Sequence, residues 1–256
     1  MDRETTVVLE NIALNKDHRM LVVEAPCLAA QSNPGQFAEL ATAGATLLRK
    51  PISIAMADKE KGTLTFVFRM IGKGTEYLGS LEPSSELDII GPLGNGFNMN
   101  CNNALLIGGG VGTPPLLYLA KELQKEGKKV SVVLGARDKG DLLLLDEFAK
   151  LGIEPLCATD NGSAGVEGTV VTALEEKAVL DSGTKLFACG PWPMLKALAV
   201  FSENMSLELE VLLEAYMGCG MGICVGCTVP TTEGMKRVCK EGPAFNAKEI
   251  LWNKIR

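Results

Sequence analysis

Four cysteines near the C-terminus constrain this chain more than any other feature. Cys219, Cys224, Cys227 and Cys239 read C-x4-C-x2-C-x11-C. Three thiols packed that tightly, with a fourth in the next element, can wrap a metal centre. The first three have the spacing of a plant-type [2Fe–2S] site. The residues between them are rich in glycine (Gly218, Gly220, Gly222, Gly226), which lets a backbone curl and aim N–H groups at sulfur. A donor set of four thiolates with no neighbouring imidazole favours a thiophilic metal. Three other readings compete. Structural zinc sites usually show two C-x2-C knuckles, and here there is one. Disulfides need an oxidising compartment, and the opening MDRETTVVLE has no basic stretch leading into an apolar one, so no secretory signal is expected. Scattered thiols do not account for a group this dense. An iron–sulfur centre is therefore the favoured reading. Cys27, Cys101 and Cys157 are expected to be small buried hydrophobes.

The rest of the composition narrows the class. The chain has 256 residues, 46% of them hydrophobic, enough for well-formed cores. No apolar run approaches the roughly 18 residues of a membrane span, so a cytoplasmic protein that needs no membrane is expected. The net charge of −6 and the lack of a basic stripe argue against nucleic acid. The one histidine, His18, lies between Asp17 and Arg19 and is expected at the surface. A histidine-based mechanism would have only this residue to use.

Hydrophobic patterning divides the chain into residues 1–100, 101–213 and 214–256. In the first zone, short runs rich in branched residues (5–14, 20–25, 36–40, 52–57, 64–70 and 87–90) alternate with turn clusters, as in a barrel or sandwich. A short helix over 75–81 is predicted, capped by Thr75. The second zone alternates strands (104–107, 130–134, 156–158, 185–188) with helices (114–126, 142–151, 168–177, 193–201), the pattern of βαβ units on a parallel sheet. The third is the glycine-and-cysteine segment with a short tail.

Between the first strand and helix of the second zone stands Gly108-Gly109-Gly110-Val111-Gly112-Thr113-Pro114-Pro115. In that context glycines let a ligand approach the backbone, and the helix N-terminus offers free N–H groups and a favourable dipole for phosphate. Thr113 stands where a G-x-G-x-x-G motif has its third glycine, and the alternative is a tight connection that binds nothing. No G-x-x-x-x-G-K-[ST] appears, so ATP hydrolysis is unsupported.

Taken together, these stretches resemble the ferredoxin–NADP⁺ reductase superfamily. Lys50-Pro51-Ile52-Ser53 resembles its R-P-x-S flavin motif. Val67-Phe68-Arg69 followed by Gly74-Thr75 resembles the second flavin-contacting stretch, and Gly91-Pro92-Leu93-Gly94-Asn95-Gly96-Phe97 the turn that closes the barrel. The turn at 108–115, the 159–168 segment beginning Thr159-Asp160-Asn161-Gly162-Ser163, and Cys189-Gly190-Pro191 resemble its nicotinamide-nucleotide motifs. The cysteine segment is similar to that of the electron-transfer subunits of dihydroorotate dehydrogenase B. The resemblance implies a β-barrel plus an α/β doubly wound nucleotide domain, with a small C-terminal iron–sulfur segment.

It also implies three cofactors. FAD would lie at the junction of barrel and nucleotide domain, near Lys50, Pro51, Ile52, Ser53, Val67, Phe68, Arg69, Gly74 and Thr75. NAD would lie on Gly108, Gly109, Gly110, Gly112, Thr113, Cys189 and Gly190, and a [2Fe–2S] cluster on Cys219, Cys224, Cys227 and Cys239. Lys50 stands where the family pattern has Arg, while Arg49 precedes it. The two residue types bind phosphate differently, so either is a candidate for the pyrophosphate. Ser53 is the candidate to hydrogen-bond near flavin N5. Around Arg137-Asp138-Lys139 the residues suit either NAD or NADP, and the resemblance favours NAD. Phe97 and Phe245 fit either a core or a cofactor shelf.

No base for a dihydropyrimidine is present, so dihydroorotate oxidation is expected in a partner, an FMN-containing catalytic subunit, with two copies of each. The cluster loop, with Met217, Met221, Ile223 and Val225, is expected to face that partner. Two other classes remain open: the small subunit of a bifurcating NADH-dependent ferredoxin:NADP⁺ oxidoreductase or sulfide dehydrogenase, and a redox sensor or zinc-bound scaffold.

Overall fold

The computed structural model describes residues 1–177, 180–181 and 183–255, and the chain folds as two compact units. The first comprises Met1–Gly96, Glu214–Thr228 and Lys236–Pro243; the second comprises Phe97–Leu213, Val229–Met235 and Ala244–Arg256.

The alternating pattern of the first zone resolves as a closed barrel rather than a sandwich. Its strands are β1 (Asp2–Ala13), β2 (His18–Glu24), β3 (Phe37–Leu40), β4 (Lys50–Asp58), β5 (Thr63–Arg69) and β6 (Glu86–Leu93), in the order β1-β2-β5-β4-β3-β6. Closure removes every free edge. Leu21, Val23, Ile54, Leu64, Phe66, Phe68 and Ile89 fill the interior, each contributing roughly 1.5–3 kcal/mol on burial. Helix α1 (Pro26–Gln31), which the pattern did not announce, starts on Pro26 in its first turn. Helix α2 (Lys73–Ser80) begins before the expected cap: Gly72 is its N-cap, and the Thr75 hydroxyl instead donates to the Gly72 carbonyl and accepts from the Ile71 N–H.

His18 is buried, contrary to expectation. It pairs with Arg69 across β2 and β5, and its ring Nδ1 lies 2.9 Å from Asn15 Oδ1. The barrel's closure buries a residue whose charged neighbours suggested a surface turn. Cys27 is exposed on α1, and Cys101 and Cys157 are half-buried, so none of the three is the fully buried hydrophobe expected.

In the second unit the strands are β7 (Asn103–Gly109), β8 (Lys129–Ala136), β9 (Leu156–Thr159), β10 (Val166–Glu167), β11 (Thr184–Cys189), β12 (Leu209–Leu212) and β15 (Ala244–Asn246), giving a sheet ordered β10-β9-β8-β7-β11-β12-β15. All pairs are parallel except β12 with β15. The helices are α3 (Pro114–Lys125), α4 (Leu145–Lys150), α5 (Val170–Lys177) and α6 (Trp192–Asn204). Near-continuous apolar strands such as β7 are what a sheet covered on both faces requires. Phe97 and Phe245 are both core residues; Phe97 meets Phe187 edge-on at 5.5 Å. Lys185, at 4% exposure, pairs with Glu210 at 3.1 Å and Glu208 at 2.9 Å, which compensates a buried charge. Strands β13 (Thr228–Thr231) and β14 (Gly234–Arg237) form a hairpin within the C-terminal segment. Among the described residues no helix is long and apolar enough to cross a membrane.

Candidate functional site

The cysteine segment winds back onto the barrel, and its four thiols gather in two pairs. Cys227 Sγ and Cys239 Sγ are 3.2 Å apart, both buried. Cys219 Sγ accepts from the Cys224 backbone N–H at 3.4 Å, from the Ile223 N–H at 3.3 Å and from the Cys224 thiol. Among the described residues no group of three or more Cys, His, Asp or Glu could hold one metal ion. Two pairs of thiols suit two irons with two thiolates each. Burial opposes ionisation of Cys219, but the N–H donors outweigh it and bring the thiol down to about 6. Burial, then the Cys227 thiol, pushes Cys239 up to about 12. The Cys219–Cys224 pair lies toward the surface, beside the exposed Ile223 and Val225. Arg237 ties the loop by donating to the Gly222 carbonyl at 2.7 Å and pairing with Glu241.

Also on the barrel, β4 presents Lys50, Pro51, Ile52 and Ser53, all half-buried. The Arg49 guanidinium is committed: it pairs with Asp88 Oδ2 at 2.7 Å and donates to the Asp88 carbonyl at 2.9 Å. Lys50 lies instead across Gly74, where a Cβ would collide with its methylenes, and its charge acts on the Glu39 carboxyl more weakly than that of Arg49. The two expected flavin stretches therefore meet. Arg69 pairs with Asp17 at 3.3 Å, yet its buried Nε has no hydrogen-bond acceptor. The Lys50 ammonium and an orphaned guanidinium N–H are what an anionic pyrophosphate would satisfy. Val67 and Phe68 are buried in the barrel.

One residue here escaped the sequence analysis. Glu39, in β3, is 3% exposed, and its Oε1 has no hydrogen-bond partner. Burial pushes its carboxyl up to about 7, against the pull of Arg49. A lone acid in the run Phe37-Ala38-Glu39-Leu40 was the only signal for it.

In the second unit the strand order reverses between β7 and β11, the switch point at which ligands bind doubly wound folds. The glycine turn follows β7, forming a single 3-10 turn over Gly110–Gly112 before α3. Gly112 packs so tightly on Cys189 and Gly190 that a Cβ would overlap their backbone. The turn and the Cys189-Gly190 corner thus come together. Gly110 has φ +53°, and a Cβ there would meet nothing within 4 Å, so the space before it is open. Thr113 is buried beneath the turn. At the end of β8, Asp138 accepts from the Gly140 N–H at 2.8 Å, and Arg137 pairs with Asp141 at 3.2 Å.

The closed barrel, the parallel sheet with its glycine turn at the switch point and the paired cysteines define an oxidoreductase of ferredoxin-reductase architecture. The profile of an oxidoreductase NAD-binding domain matches residues 106–199, and that of the iron–sulfur cluster binding domain of dihydroorotate dehydrogenase B matches residues 214–251. The chain belongs to the family of electron transfer subunits of dihydroorotate dehydrogenase B (NAD(+)). The subunit from Bacillus caldolyticus is 43% identical over 227 residues, covering 85% of this chain and 86% of that one. Its counterpart from Geobacillus sp. (strain WCH70) is 38% identical over 262 residues, covering 98% and 99%. Among solved structures, an NADH-dependent reduced ferredoxin-NADP oxidoreductase superposes with a TM-score of 0.87 at 30% identity, covering 98% of this chain and 91% of that one. The ferredoxin reductase of carbazole 1,9a-dioxygenase shares the fold, with a TM-score of 0.70 at 20% identity, covering 80% and 66%.

Proposed function

We propose that this chain carries electrons from a dihydroorotate-oxidising subunit through a [2Fe–2S] cluster and FAD to NAD⁺, in pyrimidine biosynthesis. The pairing of the four cysteines is the observation that carries this reading, because it suits a one-electron cluster on a chain built to bind nicotinamide. Residues 1–100 would serve as the FAD-binding barrel, 101–213 as the NAD-binding domain and 214–256 as the cluster-binding segment. FAD, when bound, exchanges electrons singly or in pairs and so links a hydride carrier to a one-electron centre.

The chain's residues do the positioning. Cys219 with Cys224, and Cys227 with Cys239, would each hold one iron, with the N–H groups of Ile223 and Cys224 stabilising thiolate charge at Cys219. Lys50 and the Arg69 Nε would take the flavin pyrophosphate, beside Gly74 and Thr75, and Ser53 would hydrogen-bond near the reactive ring edge. The turn over Gly108, Gly109, Gly110 and Gly112, with Thr113 beneath it, would take the dinucleotide phosphates. Cys189 and Gly190 would flank the nicotinamide. The partner would be an FMN-containing catalytic subunit in the cytoplasm, two copies of each chain, docked over Ile223 and Val225.

The test is an anaerobic preparation of the chain, analysed for flavin, iron and acid-labile sulfide, then mixed with the catalytic subunit. One FAD and one two-iron cluster are expected, with NADH-dependent reduction of artificial acceptors by the chain alone. Orotate formation should require the partner. Replacing any of the four cysteines by Ser should lower iron and spare FAD. Stoichiometric zinc without sulfide, or ferredoxin-linked NADP reduction without orotate formation, would defeat the proposal.

A further inference from the structure

The barrel and the cluster loop meet at one unexplained residue. Glu39 lies on β3 with Phe37 two residues away on the same strand face, and it is almost fully buried. Its Oε1 finds no donor, although Arg49 donates to the Glu39 backbone carbonyl at 3.4 Å. A buried carboxyl oxygen without a donor costs stability. The atom nearest to a Cβ built on Gly220 is this same Oε1, and Glu39 Cγ and Cδ follow it within 3.0 Å. Gly220 has φ +66° and stands next to Cys219 in the cluster loop. The carboxyl therefore fills the space that the side chain of any other residue at position 220 would need, beside the loop where the loop turns.

We propose that Glu39 is a positioning residue for the cluster: its carboxyl, packed against the Gly220 backbone, seats the first turn of the cysteine loop on the barrel and keeps water from that side. This rests on the cluster reading above and extends it to a residue outside the cysteine segment. A side chain at 220 meets the carboxyl as well as the strain of a left-handed φ of +66°, and only the first of these is relieved by shortening residue 39. Gly220→Ala should expel the loop while Glu39 is present and be tolerated better once residue 39 is shortened.

The experiment uses the full chain, purified anaerobically with FAD and cluster. Glu39→Ala should lose iron to a chelator about tenfold faster than the parent, the lower end of what outer-shell substitutions do to metal retention. Its reduced cluster should give an altered EPR spectrum and a more positive midpoint potential, because solvent reaches it, while FAD content and flavin potential stay unchanged. Glu39→Gln, which keeps the volume, should hold the cluster with a near-parental spectrum. Gly220→Ala should lose most of the iron, and Glu39→Ala with Gly220→Ala should regain part of it. Parental iron retention, spectrum and potential in Glu39→Ala would overturn the proposal. A parental chain without iron and sulfide would instead remove the cluster reading itself.

Discussion

At the scale of single residues, the barrel separates two adjacent cations that the sequence left equivalent. Arg49 is held by Asp88, whose carboxyl lies below its usual range because Arg3 and Arg49 hydrogen-bond to it. Lys50 is left to meet a ligand. Lys50→Ala should therefore weaken FAD binding by about tenfold, the loss of one charge-assisted contact of roughly 1.5 kcal/mol, while the barrel melts as before. Arg49→Ala should lower the melting temperature and leave FAD affinity nearly unchanged. Fluorescence titration of FAD into the apoprotein, with thermal melts, checks both. A larger loss of affinity from Arg49→Ala would reverse the assignment.

At the scale of elements, the turn between β7 and α3 shows why a glycine-rich connection was ambiguous. Gly112 is needed for close packing on Cys189 and Gly190, whatever binds there. Gly110 is different, because open space stands before it. That asymmetry separates a packing glycine from one that leaves room for phosphate. Gly110→Glu has room for its side chain, at the cost of a left-handed φ of +53°, and puts a carboxylate where a phosphate would lie. Stopped-flow reduction of the flavin by NADH should slow by at least about a hundredfold, as two like charges forced together cost several kcal/mol, with FAD still bound. An unchanged rate would make the turn only a connection.

At the scale of the whole molecule, the residues assigned to cofactors are spread over the barrel, the parallel sheet and the cysteine segment. Its one histidine is buried in the barrel, beside Asn15. The exposed Ile223 and Val225 beside the more accessible cysteine pair favour a partner on that side. Co-purification with the catalytic subunit, followed by light scattering, should give the mass of two copies of each chain. Ile223→Asp should weaken that complex without removing iron. A complex that forms equally well with Ile223→Asp would place the interface elsewhere.

The sequence by itself determined a strand-rich zone, a βαβ zone and a dense group of thiols, because strand and helix periods, turn residues and cysteine spacing are local; closure of the barrel was left to the fold, and FAD and NAD to the resemblance of the motifs. The short strands, the βαβ alternation, the glycine turn and the cysteine quartet were all legible in that way. Tertiary structure alone decided which side chains those elements would bury. His18 is buried because β2 pairs with β5, and Cys27 is exposed because a short helix follows β2. Arg49 is occupied because β6 brings Asp88 beside it, and Glu39 is sealed because the distant cysteine loop folds back over β3. Each of these depends on residues far apart in the chain, and no local pattern records which distant surface will cover a given strand.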